Sequence, residues 1–591
     1  MEPHVKKSRY FYVIAGIVCL ILIAMIGVKL LVPGFKGHKD MKLKTARNYK
    51  EVYQYLQREQ ASQDKTGNAK VMPGVATLEM DASGQYSDTN VRENGVGEGD
   101  YVKTDGTYLY VLHDSTGKVS IIDTRDTTMK EVSVIEMEKG TQAAELYLCD
   151  KKLIIIGIST RETATGSAED TQMMTYDISD AGNPKKVGQI SQSGHYSTLR
   201  VVDNMVYLFS TFYANVPDKP KNFEEYIPMI QEELIAKDNI FMPRLQNATM
   251  YTVISSVNVE QPEQVVDGRA ILSKGSDYYV SDENIYMYES DYSDNGNKCQ
   301  TTIRKIRYQN GKLEPQGQAT IDGTINDSFS IDEYEGNLRV VTTIGHNLNR
   351  PEPRELNQVS EQEKRSSENI DLSKEKTTNS VYVMNSELKV IGSIKGLAEE
   401  ERIYSARFMG DTGYVVTYKE MDPLFSLDLS NPQKPEIIGA LKIPGFSEYL
   451  HPYKDGLLIG IGQDMDEQGT TSQGVKVSMF DISNPKDVKE VQKYVIEQSY
   501  STDAFYDYKA VLIDAKKDMI GFSVYGDQEK YVLLGYDESE GFYCRMEEEI
   551  SGQSYMTTRG IYIQDILYII KGELIESYNL QTHEKIDDII L

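Results

Sequence analysis

Three stretches far apart in this chain close an apolar run with nearly the same words: Tyr176-Asp-Ile-Ser-Asp-Ala-Gly-Asn-Pro184, Leu427-Asp-Leu-Ser-Asn-Pro432 and Phe480-Asp-Ile-Ser-Asn-Pro485. Each is a strand end, an Asp and a turn closed by Asn-Pro. They mark a four-strand unit recurring at a period of roughly 40 to 50 residues, the signature of a β-propeller. The second unit shows its strands well: Leu146–Cys149, Leu153–Gly157, Met173–Asp177 and Lys186–Ile190, with turn residues Asp150, Ser179, Asp180 and Asn183 between them. Units begin near Asp100, Gln142, Tyr196, Ser276, Asn326, Arg402, Phe446, Thr502 and Tyr555. The prediction is an all-β fold, a propeller of eight or nine four-stranded blades over residues 84–591. A length of 591 residues would otherwise suggest about four domains, but a repeat array grows by blades. The strand-like run Ile586–Leu591 is expected to complete the ring and remove its exposed edge.

Two units carry insertions, 214–247 and 346–378. In the first, 223–235 reads as a helix with Pro228 near its start. The second is rich in Glu, Asn, Ser and Lys and predicts a mobile loop. Long loops on a rigid scaffold are either binding elements or variable decoration.

The N-terminus is organised differently. An uncharged run from Tyr10 to Val28 follows Lys6, Lys7 and Arg9; as a helix it would span roughly 28 Å, close to a bilayer core. No small-x-small cleavage site follows it, and a buried core helix would not need basic flanks. The expectation is a short cytoplasmic tail (1–9), a transmembrane signal anchor (10–32) and a juxtamembrane helix and linker (33–83). This would place the propeller outside the cell on a single-pass anchor. Within 40–63, Leu43, Ala46, Tyr49, Val52, Tyr53 and Leu56 recur at helical steps.

The net charge of −27 divides into +8 over residues 1–50 and −35 over the rest. The acidic part has no basic run, which argues against nucleic acid as a partner. Four cysteines, one of them (Cys19) in the hydrophobic run, give no CxxC, no zinc spacing and no disulfide framework, with one opportunistic disulfide left open. No nucleophile elbow, P-loop or HExxH is present. No cofactor is predicted. Calcium would need several carboxylates converging in one loop; around Asp177, Asp428 and Asp481 the Asp-x-Asp-x-Asp-Gly spacing is absent, and turn formation is their simpler role. Glu98, Asp100 and Asp105 form another acidic cluster, read as structural.

One alignment of the units bears on function. Seven positions before a marker in the second strand stand Lys103, Arg200, Arg407 and His451, with Lys509 a fifth if the turn Asp514–Asp518 is a longer hairpin. Innermost strands line a propeller's channel, so these residues could form an electropositive ring for a carboxylate, phosphate or acidic peptide. Alternatively they satisfy carbonyls or pair with Asp and Glu of a neighbouring unit. Strand parity leaves both open.

The runs Arg402–Tyr414, Asp422–Phe425 and Lys442–Tyr453 closely resemble the bacterial and archaeal family of secreted proteins with a C-terminal β-propeller, distantly WD-repeat-like. Tyr86–Val91, Gly95–Asp100, Val102–Gly106, Ser330–Tyr334 and Tyr506–Ala510 match as well, so the resemblance covers roughly residues 84–591. It implies a tethered or secreted propeller with no assigned activity. Gly97 and Gly99 depart from the Asp and Ala of the pattern, and Tyr508 from its His.

These observations favour a monomeric binding or interaction module that uses the channel mouth or long loops, with envelope proteins or cell-surface polymer as partners. The rival is a hydrolase or lyase acting on such a polymer through channel residues. Convergence of Arg407, His451 and Lys509 with an acidic residue would favour it. A third reading is an assembly factor for envelope proteins.

Overall fold

The computed structural model describes residues 43–63 and 86–591, apart from residues 114 and 553 and the stretches 164–165, 243–247, 293–298, 346–376, 419–421 and 467–470. Among the described residues the strands form nine sheets. Their innermost strands are Val102–Thr104, Thr141–Cys149, His195–Val202, Asp277–Val280, Ile331–Tyr334, Arg402–Met409, Phe446–Lys454, the interrupted pair Ser501–Thr502 and Leu512–Asp514, and Arg559–Ile563. We number the blades 1 to 9 in this order.

Each blade buries both faces, which is why its second strand reads as a continuous apolar run rather than an alternation. In blade 2, Leu153 and Ile155 pack toward blade 1, while Ile154 and Ile156 pack toward blade 3. The same wedge recurs between every successive pair. It also joins blade 9 to blade 1, through Ile561, Tyr568 and Ile570 against Val102, Leu109 and Val111. The core is thus a closed circle of wedges.

The ring closes in an unexpected way. Lys585–Ile590 is the outermost strand of blade 9, and all four strands of that blade come from the C-terminal end. The N-terminal stretch 86–100 contributes no outer strand; it runs through the middle of the ring.

Of the helix expected over 40–63, the part Tyr49–Gln63 forms, as α1; Lys44–Thr45 instead pairs as a short strand with Phe241 and Met242. Its Val52, Tyr53 and Leu56 pack against Tyr226, Ile227, Ile235 and Tyr251 of blade 3 and its insertion. The helix expected at 223–235 does not form. A 3-10 turn (Phe223–Glu225) is followed by the hairpin Met229–Ile230/Glu233–Leu234, which extends the blade 2 sheet. Pro228 lacks the amide a continuing helix needs, and Gln231 and Glu232 take positive φ to close the hairpin. The insertion 346–378 falls almost wholly outside the described residues.

The membrane expectation is corrected. No helix among the described residues is long and apolar enough to cross a membrane, and α1 is the one α-helix they contain. The run 10–32 itself lies outside them. Among the described residues, Cys149, Cys299 and Cys544 form no disulfide.

Candidate functional site: the filled channel and its mouth

The inner segment 86–100 reaches six blades before it enters the seventh. Tyr86 bridges Ile563, and the Ser87 amide donates to the Tyr562 carbonyl at 2.9 Å, on blade 9. The Asn90 amide side chain donates to the Tyr508 and Val511 carbonyls of blade 8 at 3.2 and 2.6 Å. Arg92 donates to the Ser328 and Ile331 carbonyls at blade 5, at 2.9 and 2.6 Å. Glu93 accepts from the Tyr279 hydroxyl of blade 4 at 3.1 Å. Val96–Glu98 pairs as a strand with Arg200–Val202 of blade 3. Asp100 exchanges two backbone hydrogen bonds with Leu146 of blade 2, at 2.9 and 2.6 Å. The chain then becomes the innermost strand of blade 1.

Against this segment the five basic candidates take their places. Lys103, Arg200, Arg407 and His451 all lie on innermost strands and are buried. Lys103, Arg200 and Arg407 pair in register with Tyr110, Tyr207 and Tyr414; His451 faces Ile459, because a bulge at Pro452/Lys454 shifts the count by one. Lys509 sits in a 3-10 turn, Tyr508–Ala510, in the excursion that interrupts the innermost strand of blade 8.

The residues form two groups. In the first, Lys103 donates to Thr89 Oγ1 at 2.9 Å, and Arg200 lies 3.5 Å from Glu98. Lys509 pairs with Glu145 at 2.9 Å and donates to the Gly99 carbonyl at 2.6 Å. The Tyr508 hydroxyl also donates to Glu98, and the Tyr196 hydroxyl to Glu145. Burial alone would raise the Glu145 carboxyl, but Lys509, Tyr196 and Arg200 hold it below the usual carboxylate range. In the second group, the Arg407 guanidinium lies 5.2 Å from the Phe329 ring, and His451 Nδ1 shares a 2.7 Å hydrogen bond with the Tyr449 hydroxyl. The anions facing the first group belong to the chain itself. A cavity of about 20 Å³ beside Asp88, Asp100, Lys509 and Arg559 has room for one water.

Sequence reasoning missed the strongest pair in this centre. Arg559, 3% exposed, lies 3.1 Å from Asp100 and 2.6 Å from Asp507 and stacks 4.3 Å from the Tyr101 ring. It opens the innermost strand of blade 9, outside the alignment that found the others. Its acidic partners stand hundreds of residues upstream and in another blade.

The mouth, at the face where innermost strands begin, has a different chemistry. There Tyr404, Tyr418 and Phe446 form a half-open aromatic trio between blades 6 and 7, with ring centroids 4.7 to 5.7 Å apart. The Ser405 hydroxyl donates to the Ser447 carbonyl at 2.7 Å and ties these two strands together. Exposed Arg402 lies over the Tyr404 ring at 4.6 Å and donates to its hydroxyl at 2.8 Å. Asn326 donates to the Tyr404 carbonyl at 2.9 Å and to Asp327 at 3.0 Å. Asp327 also accepts from the Phe329 and Ser330 amides. Burial pushes the half-buried Glu448 carboxyl up to about 7, and Asp327 nearby adds to the rise while Arg402 opposes it. Exposed Tyr213, Phe223, Tyr500 and Tyr555 stand on the same face, at second-strand ends, in the first insertion or just before innermost strands. Among the described residues no group of three or more His, Cys, Asp or Glu could hold a metal ion.

Comparison with known proteins agrees with this architecture. An uncharacterized protein of Methanocaldococcus jannaschii is 28% identical over 580 residues, covering 85% of this chain and 83% of its own. An uncharacterized protein of Archaeoglobus fulgidus is 34% identical over 291 residues, 49% of this chain and 39% of its own. Among solved structures, a putative 6-phosphogluconolactonase from Bacteroides fragilis aligns with 68% of this chain and 96% of its own at 9% identity, with a TM-score of 0.30. The β-propeller domain of the Trilobed protease from Pyrococcus furiosus aligns with 66% and 91% at 12% identity, with a TM-score of 0.29. Scores this low carry no argument about this chain. The Beta propeller domain family matches residues 86–583, from the first residue of the inner segment into the last blade, and the chain belongs to that family.

Proposed function

We propose that this protein is a binding module that takes its ligand on the face where the innermost strands begin, over blades 5 to 7. The observation that supports this most is the filled channel: the inner segment and its ion pairs occupy the place where a propeller would otherwise admit a ligand. The first group of basic residues then serves to hold that segment, with Glu98 as the anion of Arg200. The mouth keeps exposed Arg402, half-open aromatic rings and a carboxyl near half-protonation at neutral pH.

A photocrosslinking residue at position 402 of the full chain tests the reading, beside the same residue at Ile437 on an outermost strand. Covalent capture at 402 that Glu448→Gln with Tyr418→Ala abolishes is the expected result. Equal capture at both positions, or none at 402, would sink it. The hydrolase or lyase reading has less support, because Lys509 pairs across to blade 2 while Arg407 and His451 group with Phe329 and Tyr449.

A further inference from the structure

Resting on that reading, we infer that the ligand at the mouth is a neutral saccharide. The argument runs from charge balance and shape. The mouth offers the Arg402 guanidinium and the carboxyls of Asp327 and Glu448, close enough to act on one another electrostatically, with the Glu401 carboxyl against Thr417 on the same edge. A cationic ligand would meet Arg402, which already lies against the Tyr404 ring face where a cation would sit. An anionic ligand would meet these carboxyls on a domain whose charge beyond residue 50 is −35. A neutral ligand rich in hydroxyls meets neither obstacle.

Such a ligand needs two kinds of contact, and both are present. The apolar C–H faces of a sugar ring lie flat on aromatic rings, and Tyr418 and Phe446, each partly exposed, stand beside the Tyr404 ring that Arg402 covers. Adjacent hydroxyls pair with planar, forked groups, and Arg402, Glu448 and Asn326 supply a guanidinium, a carboxyl and an amide within that cluster. The platform is preorganised, since the Ser405–Ser447 hydrogen bond fixes blade 6 to blade 7 beneath it and Asp327 is held by two backbone amides. The strand pairing of Arg402 with Tyr418 puts the guanidinium beside the aromatic trio.

The test is calorimetric titration of the full chain with hexa-saccharides of glucose, mannose, galactose, xylose and N-acetylglucosamine. A uronic-acid oligomer and a chitosan oligomer serve as charged controls. At least one neutral oligomer is expected to bind, with the charged ones at least ten times weaker. Tyr418→Ala and Glu448→Ala should each weaken binding about tenfold or more, and Tyr506→Ala, on the blade 8 excursion, should leave it unchanged. Circular dichroism checks that each variant is folded. Should Tyr418→Ala not fold, Tyr418→Leu and Arg402→Gln, which keep bulk without a ring face or a charge, replace it. Preferential binding of a charged oligomer, or affinity insensitive to both mouth variants, would overturn the inference. If no neutral oligomer binds while crosslinking at 402 still captures a specific partner, the saccharide inference falls and the binding reading stands. Loss of both results ends both.

Discussion

Arg559 shows how a single side chain organises the centre. Its guanidinium spans Asp100 of the inner segment and Asp507 of blade 8, all in the closed core. Arg559→Met would leave two carboxylates without their cation, and breaking a buried pair in this way costs about 3–5 kcal/mol. Urea unfolding of the variant should show that loss. The departures at Gly97, Gly99 and Tyr508 are also legible in the fold. A Cβ on Gly97 would collide with the Tyr147 hydroxyl, one on Gly99 would lie 2.6 Å from the Glu145 carboxylate, and Tyr508 reaches Glu98. Gly99→Ala is expected to cost about 1–3 kcal/mol by crowding Glu145 away from Lys509.

Two carboxyls give the residue scale its pH dependence. Burial raises Glu93 to about 7, against the pull of Arg92, and Glu448 to about 7 as well. An acid with a native pKa above its unfolded value of about 4.3 holds its proton more tightly when folded. Its contribution is most favourable below pH 4 and declines as pH rises through 7. Between pH 5 and 8 the wild-type unfolding midpoint should therefore fall further than that of Glu93→Gln/Glu448→Gln. Parallel curves would remove this account. Asp177 acts at the other end: backbone and side-chain hydrogen bonds from Ser179 hold it at about 2, so its contribution is present above pH about 4 and lost toward 2.

At the scale of the element, the repeated words that opened the sequence turn out to be one turn with two jobs. After each third strand an Asx side chain accepts the amide two residues on: Asp123, Asp177, Asn258, Asn385, Asp428, Asp481, Asp537 and Asn579. Only blade 4 lacks it among the described residues, with the two-residue turn Asn310-Gly311 in its place. Three copies were legible in the sequence because their letters are conserved as Asp-Ile/Leu-Ser. The others hide behind Asn for Asp and arbitrary neighbours, although the hydrogen bond is the same. The proline that ends the turn docks on a glycine of the preceding blade's outermost strand: Pro262 by Gly188, Pro432 by Gly392, Pro485 by Gly439. A Cβ on Gly439 would lie 2.6 Å from Ser426 Oγ and 3.0 Å from the Pro485 carbonyl, so Gly439→Val should cost about 1–3 kcal/mol. Gly317→Ala in the open outermost strand of blade 4, with nothing near, should cost less than about 0.5 kcal/mol. Unfolding midpoints of the two variants decide it. The 223–235 element was misread because its Glu-rich apolar pattern fits a helix locally, while Pro228 and the free edge of blade 2 favour a hairpin.

For the whole molecule, the unit starts were almost fully legible, since both faces of every blade are buried and the apolar runs repeat. The route of residues 86–100 was not. A stretch of Ser, Asp, Asn and Gly looks like a linker until six blades supply its partners, and no local period encodes that. The amides of Val96–Glu98, paired with blade 3 inside the ring, are expected to exchange with deuterium only as fast as the global opening allows. Fast exchange there would mean that the segment leaves while the ring stays shut. Its position also sets an order of events. Ser87 must hold Tyr562, which is made 475 residues later. The hairpins of each blade can form as they emerge, but the segment they surround waits, unsatisfied, until blade 9 has been made. The inner segment is therefore put in place only after blade 9 exists, and a product cut short before blade 9 leaves Tyr86 and Ser87 without their partners Ile563 and Tyr562.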